Sequence, residues 1–177
     1  MSQEMIVIVD FGGQYNQLIA RRVRESNVYC VVKPYTTPFE ELMDLNPKGF
    51  IFTGGPDSVY LPDSPHPDTR IFSRGIPILG ICYGCQLLSH HLGGLVTEAQ
   101  DASAREYGST ETYFDTSCKL FKGMPEQSIT WMSHGDYMAK VPENWKLVAH
   151  SDKCPNVGIA NEELGFYGVQ FHPEVNH

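Results

Sequence analysis

The stretch that most restricts the fold of this chain is residues 76–86, an apolar run that breaks at a cysteine set between two glycines. Its apolar part, residues 76–81, is too short for a core helix and carries a proline near its start, which favours a strand packed on both faces. After the cysteine, leucines recur at helical spacing until Gly93 and Gly94, which are typical of a helix end. The stretch therefore predicts a buried strand, a tight turn and a helix.

Cys82 occupies the predicted turn. A nucleophile on a strand-to-helix turn has a strained backbone, and the chain crowds there unless nearby residues lack a Cβ. Gly80 and Gly84 flank Cys82 and meet that requirement. The following helix also directs unpaired N–H groups and the positive end of its dipole at the sulfur, which favours a reactive thiolate. The position indicates a nucleophile, although a cysteine considered alone is more often a small buried hydrophobe.

The same segment supports a competing hypothesis. Cys82 and Cys85 form a C-x-x-C pair at a helix start beside a strand, a pattern that also occurs in dithiol redox sites. Acyl transfer by Cys82 needs, in addition, a base and donors for an oxyanion. The rest of the chain therefore has to decide between the two.

Size and composition predict one folded domain. The 177 residues are 41% hydrophobic, 11% aromatic and 19% charged, which suits a globule with a single core rather than disorder. The formal net charge is −8, the pI is about 5.3, and no basic run is present. Nucleic acid and anionic membranes are therefore not expected as partners.

Targeting and membrane-spanning segments are not predicted. The longest apolar runs are far shorter than a membrane span, and residues 1–4 lack the regions of a secretory signal. Five cysteines without regular spacing suit a reducing compartment and predict no disulfide framework. We expect a cytoplasmic location.

Strands and helical segments alternate in the N-terminal half, which predicts an α/β fold with a mostly parallel central sheet and helices on both faces. Thr37 and Glu40 have capping-box spacing for the second helix, with Pro38 at its first position. Arg21, Arg22 and Arg24 are expected on a solvated helix face. Strands are expected at 5–9, 28–32, 50–52 and 76–81, and helical segments at 15–25, 38–45, 68–73 and after residue 82.

The C-terminal half has a different character. It predicts short antiparallel strands against one edge of the sheet and a last strand that returns to the main sheet. These strands are expected at 95–96, 109–114, 128–132, 147–149 and 165–171.

The last predicted strand delivers His172 and Glu174, on either side of a proline, to its carboxyl end. Because the carboxyl ends of parallel strands meet at one edge, this turn and the Cys82 turn are expected to meet. His172 then takes the thiol proton and Glu174 orients the imidazole, as acyl transfer requires. A lone histidine is more often an ordinary polar residue, so the three residues carry this interpretation together.

Acyl transfer also needs donors for the developing oxyanion. The N–H of Tyr83, just after the nucleophile, is one candidate. Gly54 and Gly55 follow the third strand, at the same edge of the sheet, and offer a second N–H without a side chain in the way. These glycines are equally compatible with a plain turn.

A phosphate loop is rejected as an interpretation of the same glycines. Residues 53–58 resemble the Gly-rich pyrophosphate loop of ATP pyrophosphatases, which must run directly into a helix. Pro62, Pro65 and Pro67 argue against an immediate helix here.

The seven histidines do not form a spaced set of metal ligands. His90 and His91 are adjacent and expected on different sides of a helix, so no metal site is predicted. His134 is expected in a polar turn after a strand, where it fits either a substrate contact or an ordinary loop residue.

Separated segments of the chain together resemble the class I glutamine amidotransferase family. Residues 80–86 are similar to its nucleophile motif, 171–174 to its partner motif and 54–56 to its oxyanion loop. The resemblance covers essentially the whole chain. It implies the flavodoxin-like α/β fold of that family, and the hydrolysis of glutamine to glutamate and ammonia through a thioester on Cys82.

Within that family, residues 10–15, 21–25, 54–60 and 133–136 resemble the amidotransferase domains of GMP synthetases. This implies that ammonia passes to a synthetase part, an ATP pyrophosphatase domain or subunit outside this chain, which uses ATP and Mg²⁺ to convert XMP to GMP. Amidotransferase domains for anthranilate, carbamoyl phosphate or CTP synthesis are of the same kind and stay as alternatives. A homodimeric parent enzyme is compatible with the pattern.

The resemblance also implies roles for single residues. The catalytic residues are Cys82, His172 and Glu174, and Gly55 and Tyr83 face the oxyanion. As an alternative to contacting the substrate, His134 and Asp136 are expected to face the synthetase part. No cofactor or metal ion is expected in this chain itself. The residues implied to hold glutamine are Gly54, Gln86, Ser133, His134, Gly135 and Asp136.

Two departures from the family pattern matter. Methionine is usual at position 85, and Cys85 adds a thiol one helical turn from the nucleophile, so an oxidative switch through a Cys82–Cys85 disulfide stays open. The family continues into a closing helix, so residues 1–177 are expected to be a glutaminase domain without that helix, with some apolar surface uncovered.

Overall fold

The computed structural model describes residues 4–99 and 106–175. Short 3₁₀ helices lie at Thr69–Ser73 and Lys119–Phe121. In chain order the other elements are β1 Met5–Asp10, α1 Asn16–Glu25, β2 Tyr29–Pro34, α2 Phe39–Asp44, β3 Gly49–Phe52, β4 Ile78–Ile81, α3 Tyr83–His91, β5 Leu95–Glu98, β6 Glu106–Phe114, β7 Gln127–His134, β8 Asp136–Lys140, β9 Lys146–Ser151, β10 Gly158–Asn161 and β11 Phe166–Val169.

Nine of the described strands form one sheet in the order β2-β1-β3-β4-β11-β10-β9-β6-β7. The strands from β2 to β11 in this order run parallel to their neighbours. From β11 to β7 each neighbouring pair is antiparallel. The predicted α/β fold, with parallel core strands and antiparallel strands in the C-terminal half, is confirmed. β5 and β8 pair with each other in a separate two-stranded sheet.

Helices cover both faces of the parallel strands. Since successive side chains of a strand point to opposite sides, each strand contributes side chains to two cores. Val7 and Val9 of β1 pack in the core that includes α2 and α3, whereas Ile8 packs in the core that includes α1. All three side chains are at most 2% exposed. Burial on both faces explains why β1 is a continuous apolar run rather than an alternating one.

Glycines let α3 lie directly against the sheet. A Cβ on Gly84 would lie 2.2 Å from the carbonyl oxygen of Phe52 in β3, and one on Gly80 would lie 2.5 Å from the carbonyl oxygen of Gly84. A Cβ on Gly168 of β11 would lie 2.6 Å from Cys85 Sγ. Contacts this short leave no room for side chains, so these glycines fix the N-terminus of α3 on the carboxyl ends of the central strands.

The start of α2 differs from the prediction. The helix begins after Pro38, and the hydroxyl of Thr37 donates to the carbonyl of Pro34 at 2.7 Å instead of capping it. Glu40 pairs with Arg70 at 3.1 Å on the surface. The capping-box prediction was wrong because a tight turn after β2 gives the threonine a nearer acceptor.

The chain between β3 and the 3₁₀ helix at Thr69–Ser73 has no regular secondary structure. The glycines after β3 therefore do not run into a helix, as the rejection of a phosphate loop required. The hydroxyl of Tyr83 donates to the carbonyl of Pro65, which ties this loop to α3. No helix in the described ranges is long and apolar enough to cross a membrane.

His90 and His91 do not point away from each other, contrary to the prediction. The rings of both contact the ring of His66, at centroid distances of 5.5 and 4.9 Å, because the loop after β3 packs beside the end of α3. His66 Nδ1 and His91 Nε2 share a hydrogen bond of 2.7 Å. Across residues 4–99 and 106–175, no three metal-ligating side chains are grouped so that they could hold an ion.

Candidate active site

Cys82 forms the turn between β4 and α3. Its backbone has a positive φ of 54° with ψ at −108°, a conformation that residues other than glycine rarely adopt. The Cys82 N–H donates to the carbonyl of Val169 in β11 at 2.8 Å, and the Gly84 N–H donates to the carbonyl of Thr53 at 3.1 Å. Hydrogen bonds on both sides of the turn therefore hold the strained residue in place.

The turn after β11 brings His172 and Glu174 to Cys82. His172 Nδ1 lies 2.6 Å from Glu174 Oε1, and the imidazole and Cys82 lie on the same side of Gly54 and line the same cavity. The two side chains are 7% and 3% exposed. Burial alone would lower the pKa of His172, but the hydrogen bonds and charges of Cys82 and Glu174 outweigh burial and raise this pKa above its ordinary value. The imidazole is thus poised to take the thiol proton.

Every residue predicted for the site lines one cavity of about 400 Å³. β3, β4, β7 and β11 are distant in sequence, and the segments at and after their carboxyl ends meet at the same side of the sheet. The predicted residues that line the cavity are Gly54, Gly55, Cys82, Tyr83, Gln86, Ser133, His134, Gly135, Asp136, His172 and Glu174.

Gly54 and Gly55 lie too close to their neighbours to carry side chains. A Cβ on Gly54 would lie 3.0 Å from His172 Cε1 and 3.7 Å from Cys82 Cβ. A Cβ on Gly55 would lie 2.6 Å from the carbonyl oxygen of Phe11. The loop after β3 therefore passes beside both Cys82 and His172, where a backbone N–H can approach a reacting group.

Gln170 is a residue of the site that sequence reasoning missed. It is fully buried, and its Nε2 donates to Cys82 Sγ at 3.6 Å, while its Oε1 accepts from Gln86 Nε2 at 3.1 Å. The predicted residue Gln86 is therefore linked to the sulfur through a second amide. The sequence did contain a signal for it. Gln170 is a polar residue in the otherwise apolar end of the predicted strand 165–171, and a buried polar side chain needs a hydrogen-bond partner.

Tyr15 and Arg22 of the α1 region also contact the site. The ring of Tyr15 packs edge-on against His172 at a centroid distance of 5.4 Å. Arg22 Nε donates to the carbonyl of Glu174 at 3.2 Å, so this arginine is half-buried rather than on the solvated face expected for it. No local pattern signals this contact, since it depends on where α1 packs against the turn after β11.

His134 is the last residue of β7 rather than part of a turn, and its side chain is 4% exposed. Its Nδ1 shares a hydrogen bond of 2.8 Å with the carbonyl of Asp136. The preceding carbonyl, of Ser133, lies 3.7 Å from Cys82 Sγ. The end of β7 thus lies directly against the sulfur, and the implied contacts of these residues with glutamine stay predictions.

Cys85 is not placed for dithiol chemistry. Its sulfur is fully buried and lies 3.5 Å from Met138 Sδ. Burial raises the pKa of the Cys85 thiol well above its ordinary value, whereas a redox-active thiol needs to be ionised and accessible. Cys82 and Cys85 are both free thiols. The dithiol hypothesis is therefore disfavoured.

Comparison with known proteins places the chain among glutamine amidotransferases. It matches the family model described as glutamine amidotransferase class-I over residues 7–177. The GMP synthase (glutamine-hydrolyzing) of Clostridium perfringens (strain 13 / Type A) is 54% identical over 175 residues, which is 99% of this chain and 34% of that protein. The enzyme of the same name from Clostridium novyi (strain NT) is 53% identical over 177 residues, again 34% of its length. The chain therefore spans about a third of the length of these curated relatives.

Solved structures agree with the sequence comparison. A Thermoplasma acidophilum protein, proposed to be one subunit of a GMP synthase, has a TM-score of 0.85 at 28% identity, with 100% of this chain and 87% of that chain covered. A glutamine amidotransferase from Thermotoga maritima has a TM-score of 0.77 at 22% identity, with coverage of 99% and 78%, and shows likeness of fold. Since the family model spans nearly all of the chain, this protein belongs to the class I glutamine amidotransferases.

Proposed function

We propose that this chain hydrolyses L-glutamine to L-glutamate and ammonia through a thioester on Cys82. The observation that carries the proposal is that Cys82 and His172 meet beside Gly54 in one cavity, with Glu174 Oε1 2.6 Å from His172 Nδ1. A nucleophile, a base and a group that orients the base are what acyl transfer to a side chain requires.

In the first half of the reaction, His172 takes the thiol proton and the Cys82 sulfur attacks the carboxamide carbon of glutamine. The carbonyl oxygen becomes an oxyanion, which the N–H groups of Gly55 and Tyr83 stabilise. Tyr83 is the first residue of α3, so its N–H has no partner within the helix. Each such donor contributes about 3 kcal/mol to the transition state in comparable enzymes.

In the second half, the C–N bond breaks and the His172 imidazolium gives its proton to the leaving nitrogen, so that ammonia departs. The acyl group remains on Cys82 as a thioester. His172 then takes a proton from water as the water oxygen attacks the thioester, and glutamate and the free thiol are released. Glu174 holds the imidazole in one tautomer throughout.

Glutamine would be held by the residues that surround Cys82 in the cavity. Gln86, Gly54 and Ser133 line it close to the sulfur, and His134, Gly135 and Asp136 extend the wall. A cavity of about 400 Å³ is large enough for an amino acid of this size. Backbone and amide groups suit the carboxylate and ammonium ends of glutamine because they offer both donors and acceptors.

The ammonia is proposed to serve a synthetase part that uses ATP and Mg²⁺ to convert XMP to GMP. Relatives at 54% identity are named GMP synthase (glutamine-hydrolyzing), and this chain matches about a third of their length, which supports a synthetase part as its partner. The names of these relatives make the acceptors of anthranilate and carbamoyl phosphate synthesis less favoured as destinations of the ammonia. A cytoplasmic location belongs to the same proposal.

The direct test is to incubate the purified chain with L-glutamine and measure glutamate and ammonia over time. We expect equal amounts of the two products, and no hydrolysis of L-asparagine, whose shorter side chain places the carboxamide away from Cys82. Absence of glutamate and ammonia, from a chain that is folded by circular dichroism, would contradict the proposal.

When Glu174 is replaced with glutamine, glutaminase activity is expected to be lost at a lower pH on the alkaline side of its pH profile. Because Cys82 and Glu174 raise the pKa of His172, the imidazole keeps its proton until the pH rises through that raised value. Without the Glu174 charge the pKa of His172 falls, so the alkaline limb of the kcat/KM profile moves to lower pH. We also expect kcat to fall by roughly 10²-fold or more, since the tautomer is no longer fixed.

The matched control is Glu163→Gln, which removes a carboxylate from the exposed surface. It should leave both the rate and the pH profile unchanged. An unchanged alkaline limb in Glu174→Gln would show that this carboxylate does not set the protonation of His172.

A further inference from the structure

The loop that carries Gly55 is long and irregular, from Thr53 to the start of the 3₁₀ helix at Thr69–Ser73. Irregular loops keep a defined position only when specific contacts tether them. Just after Gly55, the loop is tethered by hydrogen bonds to Asp136, the first residue of β8. The carboxylate of Asp136 accepts hydrogen bonds from Ser58 Oγ at 2.6 Å and from the Tyr60 hydroxyl at 2.9 Å.

The backbone of Asp136 is itself held by hydrogen bonds to His134 and Gln86, two other residues of the cavity lining. Its carbonyl oxygen shares a hydrogen bond of 2.8 Å with His134 Nδ1 and accepts a long one of 3.4 Å from Gln86 Nε2. We call Ser58, Tyr60 and Asp136 the Asp136 clasp. It joins the loop after β3 to the β7–β8 turn, two segments that both line the cavity around Cys82.

The clasp has the chemistry of a firm tether. Hydrogen bonds to an ionised carboxylate are about twice as strong as those between neutral groups. The hydrogen bond with Ser58 would lower the pKa of Tyr60, but burial and the Asp136 carboxylate outweigh it and raise this pKa. The phenol therefore stays protonated and remains a donor to Asp136. Ser58 and Tyr60 lie outside the cavity lining, so they act on the site through the loop that carries Gly55 and through Asp136.

We propose that the Asp136 clasp positions the Gly55 N–H for the oxyanion, which makes Ser58, Tyr60 and Asp136 positioning residues of the reaction. The inference rests on the proposed glutaminase activity and deepens it. Ser58 is three residues from Gly55, so loss of the hydrogen bonds of Ser58 and Tyr60 removes a restraint on the loop beyond Gly55, while Thr53 before it stays bonded to Gly84. A shift of about 1 Å at a reacting centre costs on the order of 10²-fold in rate. The oxyanion exists only after attack, so the loss should fall on kcat rather than KM.

The test is the double variant Ser58→Ala/Tyr60→Phe of this chain, assayed with L-glutamine. Neither change touches the cavity, and the variant keeps Asp136 in place. We expect kcat to fall about tenfold or more and KM to stay within about twofold. Alkylation of Cys82 by iodoacetamide, mapped by mass spectrometry, should keep its rate, because that reaction needs the thiolate but no oxyanion donor.

Two further comparisons separate positioning from general damage. Adding Ser58→Ala/Tyr60→Phe to Asp136→Ala should cost little beyond Asp136→Ala alone, because the contact is already broken. Tyr29→Phe removes a phenol that is 44% exposed on β2 and is the matched control, with wild-type kinetics expected.

Each result is decisive. If the wild-type chain hydrolyses glutamine and the double variant keeps its kcat, the clasp has no positioning role. A raised KM at unchanged kcat would assign the clasp to substrate binding, and a slower alkylation of Cys82 would assign it to general structure; both overturn the inference. A wild-type chain without glutaminase activity would instead remove the proposed function itself.

Discussion

Replacing Cys82 with serine is expected to abolish glutamine hydrolysis, with kcat lowered about 10³-fold or more. The substitution is nearly isosteric, so the φ of 54° and the hydrogen bond from the Cys82 N–H to Val169 can persist. A hydroxyl is far harder to deprotonate than a thiol and makes a poorer nucleophile next to His172. The measurement is the steady-state release of glutamate, with thermal unfolding recorded to show that the fold is intact.

Cys30→Ser is the matched control for this loss. Cys30 is also buried, lies in β2 away from the cavity, and its sulfur contacts the carbonyl of Ala20 at 3.5 Å, a contact that a hydroxyl can replace. Its activity should equal that of the wild type. A Cys82→Ser variant that retained about a tenth or more of the wild-type kcat would exclude Cys82 as the nucleophile.

The substitution Gly84→Ala is expected to have the largest effect on stability, lowering the free energy of unfolding by about 3 kcal/mol or more. The new methyl group would lie 2.2 Å from the carbonyl oxygen of Phe52 and 2.7 Å from its Cβ. Both neighbours belong to a central strand that cannot move easily, so α3 has to shift and carries Cys82 with it. Denaturant unfolding followed by circular dichroism measures the loss, and glutaminase activity should fall in the same variant.

Gly75→Ala separates this clash from the general effect of replacing glycine. Gly75 has a φ of +72° but nothing within 4 Å of an added Cβ. It should therefore cost only the strain of a left-handed alanine, about 1 kcal/mol. Equal losses for the two variants would show that the contact of α3 with β3 is not as tight as the distances indicate.

The strand–turn–helix unit at Cys82 was predictable because its signals are local. An apolar run, flanking glycines and leucines at helical spacing are all contained in one short stretch, and β4 and α3 formed where they indicated. The meeting of Cys82 with His172 followed from a rule about parallel sheets rather than from local signals. It held because β11 pairs parallel with β4, with Val169 opposite Ile81.

Other features depended on tertiary contacts that no local pattern carries. β8 was not predicted because it is short and is stabilised by β5, a partner strand distant in sequence. β10 was not predicted because it has only four residues and is stabilised by pairing with β9 and β11 on either side. The contact of Arg22 with Glu174 needs the position of α1 on the sheet. His66 was not connected with α3, because the path of an irregular loop cannot be derived from residue spacing.

The most direct test of the central claim is to expose the chain to a glutamine analogue that carries a diazo-ketone in place of the carboxamide, and to map the adduct by mass spectrometry. If Cys82 attacks with the help of His172, one adduct forms on Cys82, glutamine protects against it, and His172→Ala slows it strongly. An adduct on another residue, or one on Cys82 that forms equally fast without His172, would contradict it.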